Sequence, residues 1–500
     1  MKLKQLVKDI SNITVKGSKD VEISGITSNS KMVSPGNLFV AKRGQVSDGN
    51  QYIPEAMKAG AICVLTDIYD PSLQLVQIIA TDVVGAEASL ARNYYQNASE
   101  DLFMVGVTGT SGKTTTSYAI KHILECAQMR SGLIGTIEYV IGDVRYPATR
   151  TTPDVVANHK MLREMARAGM NACVMEVTSH AMEQRRAQHI EFDIACFTNL
   201  THEHLDYHES MENYFHAKQK LFLGLKHQGK NKKETLQKVA IFNADSTWTE
   251  RMKEGCTAKI LTYGIENKAD ITASKIAFSA QGATFEVCYE NQHTCFSWPL
   301  IGRFNVYNAL CVIAVGLTRG LTLEELAFYM HTFQTAPGRL EKVENALKLN
   351  IYVDYAHKED ALRNVLVTLR ECLKKSGKLI TVFGCGGDRD KEKRPKMARA
   401  AEELSDVVIV TSDNPRSEDP KIICQEICSG FIHAEKQTVE LDRKKAIELA
   451  VDLASSDDII VIAGKGHEAK QYFNNYTIDF DDRLIAKEYC FLKSSHESLV

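Results

Sequence analysis

Two kinds of patterning alternate along the chain: short uninterrupted apolar runs, and longer stretches in which apolar positions return every three or four residues. The first kind reads as buried strands and the second as amphipathic helices. Up to about residue 98, runs such as Leu38–Ala41 and Ala61–Leu65 alternate with a helical stretch over Ala86–Tyr95, which predicts a small α/β domain. Leu102–Val107 then ends in a Gly/Thr-rich loop that continues as a helical pattern over Lys113–Cys126, a strand–loop–helix unit. Further strands are expected at Ala172–Val177, Ile194–Thr198 and Val239–Asn243. After a Pro337-Gly338 breaker they recur at Asn350–Val353, Leu379–Phe383, Val407–Thr411 and Ile459–Ala463. Strands apolar on both faces and separated by helices predict parallel sheets. The expected fold class is α/β in three domains: a small N-terminal α/β domain (1–98), a central P-loop ATPase-like parallel sheet (99–334) and a C-terminal Rossmann-like α/β domain (335–500).

Composition narrows the class of function. At roughly 150 residues per domain, 500 residues suit about three domains. A chain 44% hydrophobic and 25% charged is globular rather than fibrous or disordered. Sixty Lys and Arg against 63 Asp and Glu leave a formal charge of −3, so no global basic excess draws nucleic acid or an anionic membrane. No stretch reaches the ~18 apolar residues of a membrane span, and the opening residues lack the apolar core of a signal peptide. A cytoplasmic location is expected. The 13 cysteines stand singly in apolar segments, as buried thiols in a reducing compartment do. Cys424 and Cys428 have helical spacing and are expected to pack. Lys226–Lys233 reads as a solvated loop.

The sharpest chemical signal is Thr108-Gly109-Thr110-Ser111-Gly112-Lys113-Thr114-Thr115, placed between strand and helix where a phosphate cradle belongs. Backbone N–H groups and the helix N-terminus would hold phosphate oxygens, Lys113 would reach the β- and γ-phosphates, and the Thr114 hydroxyl would help hold Mg²⁺. Val107 stands where the standard pattern has glycine, so the loop is a variant. The run Ala172–Glu176 ends a buried strand with a carboxylate, the place for a magnesium ligand, and Thr178-Ser179-His180 extends that polar edge. The segment Thr198–His208 is dense in ligating groups. Its three histidines invite a zinc reading, but an oxygen-rich nucleotide site suits Mg²⁺ better.

Taken together, these segments resemble the Mur ligases, ATP-dependent amino-acid ligases of bacterial cell-wall synthesis, and most closely the MurE type. The likeness extends from Thr27 to about Arg483 and includes Asp206-Tyr207-His208, Gly302-Arg303-Phe304-Asn305, Pro337-Gly338-Arg339, Asp354-Tyr355-Ala356-His357, Gly384-Cys385-Gly386-Gly387-Asp388-Arg389 and Gly464-Lys465-Gly466-His467-Glu468. The resemblance implies that Thr114, Glu176, His204 and Lys218 surround two magnesium ions, Lys218 as a carbamate, and that Lys113, Glu176, His204 and Lys218 are the catalytic set. It implies ATP contacts at Gly109, Thr110, Ser111, Gly112, Lys113, Thr114, Thr115, Asn305, Asn308, Arg339, Asp354 and His357. A UDP-sugar peptide would be held by Ser28, Ser30, Thr151, Thr152, Thr178, Gln184 and Arg186 between the first two domains. Arg389, Asp413, Asn414, Arg416, Gly464 and Glu468 would hold meso-diaminopimelate. The chain departs from the family pattern at Asn29, Lys31, Thr178, Glu203 and Lys358-Glu359; a lysine at 31 loses an arginine's bidentate fork.

The reaction implied joins meso-diaminopimelate to UDP-N-acetylmuramoyl-L-alanyl-D-glutamate through an acyl phosphate, in peptidoglycan precursor synthesis. A buried Arg416 facing lysine in place of diaminopimelate would leave its charge unpaired, rejecting lysine by on the order of 3–5 kcal/mol. Only small-molecule partners are expected, with no nucleic acid or membrane, and the chain is expected to act as a monomer. The alternatives are the same ligation with L-lysine, a folylpolyglutamate synthetase, or a P-loop ATPase or binding module that performs no ligation.

Overall fold

The computed structural model describes residues 1–44, 48–225, 237–279 and 281–497; the lysine-rich stretch expected to be a solvated loop lies outside them. By internal packing the chain divides into two units, Met1–Ile271 with Cys311–Thr322, and Thr272–Leu310 with Leu323–Val500.

The first unit holds two sheets. One contains β1 (Ile13–Lys16), β2 (Gly25–Thr27), β3 (Asn37–Val40), β4 (Cys63–Thr66) and β5 (Val76–Ala80) in the order β1-β5-β4-β3-β2. It is parallel except for β1. The other contains β6 (Phe103–Thr108), β7 (Ser131–Ile134), β8 (Glu138–Ile141), β9 (Val144–Pro147), β10 (Ala172–Glu176), β11 (Ile194–Phe197), β12 (Val239–Asn243) and β13 (Lys259–Gly264). Within this unit these run β13-β12-β11-β6-β10-β7-β8-β9. Every residue of β6, β10, β11 and β12 is buried, which is why these strands read as unbroken apolar runs rather than alternating ones. The helix Val83–Tyr94 covers the first sheet, and Val155 and Val156 of the helix Val155–Arg167 enter the same core, so that helix joins the two layers.

The second unit takes in all but the first residue of β14 (Ile271–Ser279), with β15 (Gly282–Tyr289) and β16 (Gln292–Trp298). The last two form an antiparallel hairpin whose Trp298 stacks on Phe333, ring centroids 5.0 Å apart and 3° from parallel. The second unit takes in residues 272–310 together with the C-terminal part of the chain. The remaining strands are β17 (Glu341–Lys342), β18 (Asn350–Asp354), β19 (Leu379–Phe383), β20 (Val407–Val410), β21 (Gln437–Val439) and β22 (Ile459–Ala463), in the order β17-β18-β22-β19-β20-β21. All neighbours except β17 are parallel, and an apolar core lies on each face. Cys424 packs in one of these cores, with Cys428 partly buried against it. Among the described residues no helix is long and apolar enough to cross a membrane.

Candidate active site

In a parallel α/β sheet, polar groups gather at the carboxyl ends of the strands, where helix N-termini and loops converge. In the first unit that edge is made by β6, β10 and β11. Gly109 leaves β6 at φ +151°, and a Cβ there would lie 1.9 Å from Thr198 Oγ1. Gly112, at φ +87°, is the N-cap of the helix Lys113–Cys126, so both positions require glycine. Lys113 Nζ donates to the carbonyls of Gly109 and Thr110, each at 2.8 Å. The Thr114 hydroxyl donates to Glu176 Oε2 at 3.1 Å. The fully buried Glu176 also accepts the Thr136 hydroxyl at 2.8 Å and, on Oε1, the Thr136 N–H at 3.0 Å.

Lys218, on the helix Met211–Leu223, is 2% exposed and donates to the Gly109 carbonyl at 2.9 Å. Its ammonium stands 4.6 Å from the centre of the Tyr214 ring, whose hydroxyl lies 3.1 Å from Thr110 Oγ1. Burial, reinforced by the Lys113 charge and opposed by Glu203, holds the Lys218 amine well below an ordinary lysine. The His204 ring is 6.1 Å from Tyr214 and 4.9 Å from His180. His204 has φ +58°, a left-handed conformation uncommon outside glycine. The structure thus gathers Lys113, Thr114, Glu176, His204 and Lys218 around one loop. Among the described residues no three His, Cys, Asp or Glu side chains are grouped so that they could hold a metal ion.

Beside that edge a second polar cluster forms. The Thr152 hydroxyl donates to the Glu176 carbonyl at 2.7 Å and accepts the Thr178 N–H at 3.2 Å, while Thr151 Oγ1 lies 3.1 Å from Thr136 Oγ1. Arg186 donates to the Thr152 carbonyl at 3.0 Å and to Gln184 Oε1. A cavity of about 780 Å³ runs along β2 past Ser28 and Asn29 to Asp154 and Lys160. Ser30 is only partly buried, and neither it nor Lys31 lines the cavity. Tyr94, Tyr95, Arg163 and Arg167 also line it. No motif marked those four residues; their places follow from how two helices meet.

In the second unit, β18 ends at Asp354, whose carboxylate accepts the N–H groups of Leu340 at 2.7 Å and Ala356 at 2.8 Å. Burial raises its pKa, an effect opposed by Arg339 and by those N–H groups. The Arg339 guanidinium lies over the Tyr355 ring at 5.1 Å. The His357 ring lies 4.8 Å from Tyr355, and burial lowers its pKa. Asn308 donates to Asn305 Oδ1 at 3.0 Å, and Asn305 to the Ile301 carbonyl at 2.9 Å. At the ends of β19, β20 and β22, Asn414 Nδ2 donates to Glu468 Oε2 at 2.7 Å. A Cβ on Gly464 would lie 2.6 Å from Asp413 Oδ2, and one on Gly386 would lie 2.9 Å from Arg416 Nη1 and 3.7 Å from Arg389 Cγ. The six residues expected to hold an amino acid are therefore together. Arg416 is a correction: it is half-buried rather than buried, and Nη1 already donates to the Gly387 carbonyl at 2.7 Å. Its backbone there is left-handed, at φ +52°, and its N–H donates to the Tyr472 carbonyl at 3.0 Å, so both the main chain and the guanidinium are already held by the protein.

The Mur ligase middle-domain family matches residues 107–316, the Mur ligase glutamate-ligase domain 338–466, and the Mur ligase catalytic domain 22–103. The UDP-N-acetylmuramoyl-L-alanyl-D-glutamate--2,6-diaminopimelate ligase of Chlamydia felis is 42% identical over 492 residues, 98% of this chain and 99% of that protein. The chain belongs to the Mur ligase family. The same-named ligase of Chlamydia caviae is 41% identical over 497 residues, covering 99% of this chain and 100% of that one. A solved structure of a ligase with that name matches at 30% identity with a TM-score of 0.72, covering 99% of each chain.

Against the Mur ligase pattern, each departure has a local account. Val107 lies within β6 and is fully buried, so the cradle begins beyond it. Asn29 Oδ1 accepts the Lys31 N–H at 3.1 Å, capping the turn after β2. Thr178 caps its helix by accepting the Ala181 N–H at 3.2 Å, as a serine would. Glu203 Oε1 lies 3.9 Å from His204 Nε2. Lys358 occupies the N-cap of the helix Glu359–Cys372 without a capping hydrogen bond. Thr136, which orients Glu176 with two hydrogen bonds, was not anticipated; a lone threonine in a loop carries no spacing signal.

Proposed function

We propose that this Mur ligase joins meso-diaminopimelate to the D-glutamate of UDP-N-acetylmuramoyl-L-alanyl-D-glutamate with consumption of ATP. The relatives matching over their whole length carry the name of that reaction. The observation that carries the reading is Lys218, a lysine sealed against the phosphate loop with its amine displaced toward the neutral form. A switch ATPase has no use for such a group. A neutral amine can take up CO₂ as a carbamate, turning a repelling cation into an anionic oxygen donor.

The three-part division at residues 98 and 334 is proposed as a division of labour among UDP-sugar, ATP and amino-acid binding. Thr114, Glu176, His204 and carbamylated Lys218 are the residues that would hold Mg²⁺; the buried carboxylate and hydroxyl, 3.1 Å apart, supply the hard oxygen donors it requires. Bound there, the ion offsets charge on the phosphates. Lys113 would leave the Gly109 and Thr110 carbonyls for phosphate oxygens, and the loop's N–H groups fix the triphosphate for in-line attack by the substrate carboxylate. Arg339 offers a guanidinium, already oriented by Tyr355, for phosphate charge. Thr151, Thr152, Thr178, Gln184 and Arg186, with Ser28 and Ser30, would hold the UDP-sugar peptide. The incoming amine then expels phosphate, so no protein nucleophile is needed. We place the reaction in the cytoplasm and the active form as a monomer.

The test is phosphate release by purified protein with ATP, Mg²⁺ and the nucleotide dipeptide, comparing meso-diaminopimelate and L-lysine. Release with neither refutes ligation; equal release with both refutes only the choice of amine. Lys218→Ala should be inactive and partly restored by a small carboxylic acid.

A further inference from the structure

Lys465 lies two residues past the end of β22, and its side chain is 0% exposed. An ammonium has three N–H donors, and the structure gives it three acceptors: the Lys470 carbonyl at 2.6 Å, Asn414 Oδ1 at 3.2 Å and Glu468 Oε2 at 3.5 Å. No donor is left for a substrate. The effect of this buried charge is therefore exerted through the two side chains it holds.

Its effect on Asn414 is one of polarity. An amide side chain can present its oxygen or its nitrogen, and only its hydrogen-bond partners decide which. Asn414 Oδ1 accepts from Lys465 and from the Tyr472 N–H at 3.1 Å, so the oxygen is turned inward. Nδ2 donates one proton to Glu468 Oε2 at 2.7 Å, leaving its second N–H as a donor. Glu468 uses Oε2 for both Lys465 and Asn414, and among the described residues Oε1 accepts nothing from the protein. The Asp413 carboxylate likewise accepts no hydrogen bond among the described residues. The pocket thus offers N–H donors from Asn414 and the Arg416 guanidinium beside carboxylate acceptors from Glu468 and Asp413. That is the complement of a zwitterionic amino-acid centre, carboxylate to the donors and ammonium to the acceptors.

We infer that Lys465 is a positioning and specificity-determining residue for the amine donor: it fixes the Asn414 amide with its N–H outward and balances the carboxylates facing the substrate's ammonium. This rests on the amino-acid reading of the Asn414–Glu468 pocket. Without the ammonium, the amide oxygen keeps the Tyr472 N–H and the amide nitrogen keeps Glu468 Oε2, but the strongest hold on the oxygen is gone; a reversed amide sets its oxygen against the substrate's carboxylate.

The experiment is steady-state kinetics of the full chain with ATP, Mg²⁺, nucleotide dipeptide and meso-diaminopimelate or L-lysine, for Lys465→Met, Asn414→Ala and the double variant. Lys465→Met should raise KM for diaminopimelate by about tenfold or more, the scale of a lost charged hydrogen bond, while leaving KM for ATP and for the nucleotide within about twofold. Its preference for diaminopimelate over lysine should fall by the same factor. The double variant should be less impaired than the sum of the two single effects, because both changes remove the oriented Asn414 amide. If Asn414→Ala leaves the diaminopimelate KM unchanged, the amino-acid reading of the pocket is what fails. If Asn414→Ala raises it and Lys465→Met does not, or if the two effects simply add, Lys465 has no positioning role. A parallel rise in all three KM values with a lowered Tm also overturns the inference, since a merely structural lysine would give that. Should Lys465→Met not fold, Lys465→Gln is judged by the same criteria.

Discussion

Arg443 and Asp482 form an ion pair in the second unit with both side chains at 0% exposure. Arg443 Nε donates to Asp482 Oδ1 at 2.8 Å and Nη2 to Oδ2 at 2.7 Å, a two-pronged contact. The same guanidinium donates to the carbonyls of Ala463 at 3.0 Å and Ser412 at 3.4 Å, the residues immediately before Gly464 and Asp413. Asp482→Asn keeps the shape and removes the negative charge, leaving a buried guanidinium without its counter-charge. Breaking such a pair costs about 3–5 kcal/mol. For a unit of this size that corresponds to a Tm lower by about 6–20 °C. Replacing both partners, Arg443→Met with Asp482→Leu, removes the stranded charge and should recover about 2 kcal/mol of the loss. What remains is about 1–3 kcal/mol for the Ala463 carbonyl left without that donor. Calorimetry and urea unfolding of the single and double variants measure both quantities. A single variant losing less than about 1 kcal/mol would mean that water reaches the pair. A double variant no more stable than the single would mean that the two carbonyl contacts, not the ion pair, carry the energy. Either result refutes the reasoning.

Three further outcomes are expected. Burial and the neighbouring His189 push His159, which donates to the Gln188 carbonyl, down to about 4. Between pH 6.5 and 4 the unfolded chain therefore binds a proton that the folded chain refuses, so stability rises with pH across that window. Acidification through it should cost about 3 kcal/mol, levelling off below the folded value, and unfolding curves of His159→Phe should lose that slope. Thr152→Val removes a buried hydroxyl that serves both Glu176 and Thr178; a loss of about 1–3 kcal/mol and a raised KM for the nucleotide are expected, and unchanged kinetics would disconnect this cluster from substrate. Arg416→Ala should reduce the preference for diaminopimelate over lysine by only about 1–3 kcal/mol, because the guanidinium is half-buried and already bonded to Gly387; competition between the two amines measures it.

Elements that depend on local pattern were legible in the amino-acid order. The helix Lys113–Cys126 and the strands Leu379–Phe383 and Ile459–Ala463 fall at the residues the pattern predicts, because a strand buried on both faces must be apolar throughout and a phosphate loop needs its glycines at fixed offsets. Contacts between distant segments became visible only in the folded chain. Arg443 meets Asp482 across 39 positions, Glu176 meets Thr136 across 40, and Lys465 meets Asn414 across 51. None of these pairs has a spacing that periodicity could register. Arg416 likewise is half-buried with its guanidinium bonded to the Gly387 carbonyl, which its residue type does not announce. Local propensity and hydrophobic burial act on each segment by itself. Charge compensation and amide orientation exist only once segments meet, so the chain can name the chemistry of a side chain but not the partner that aims it.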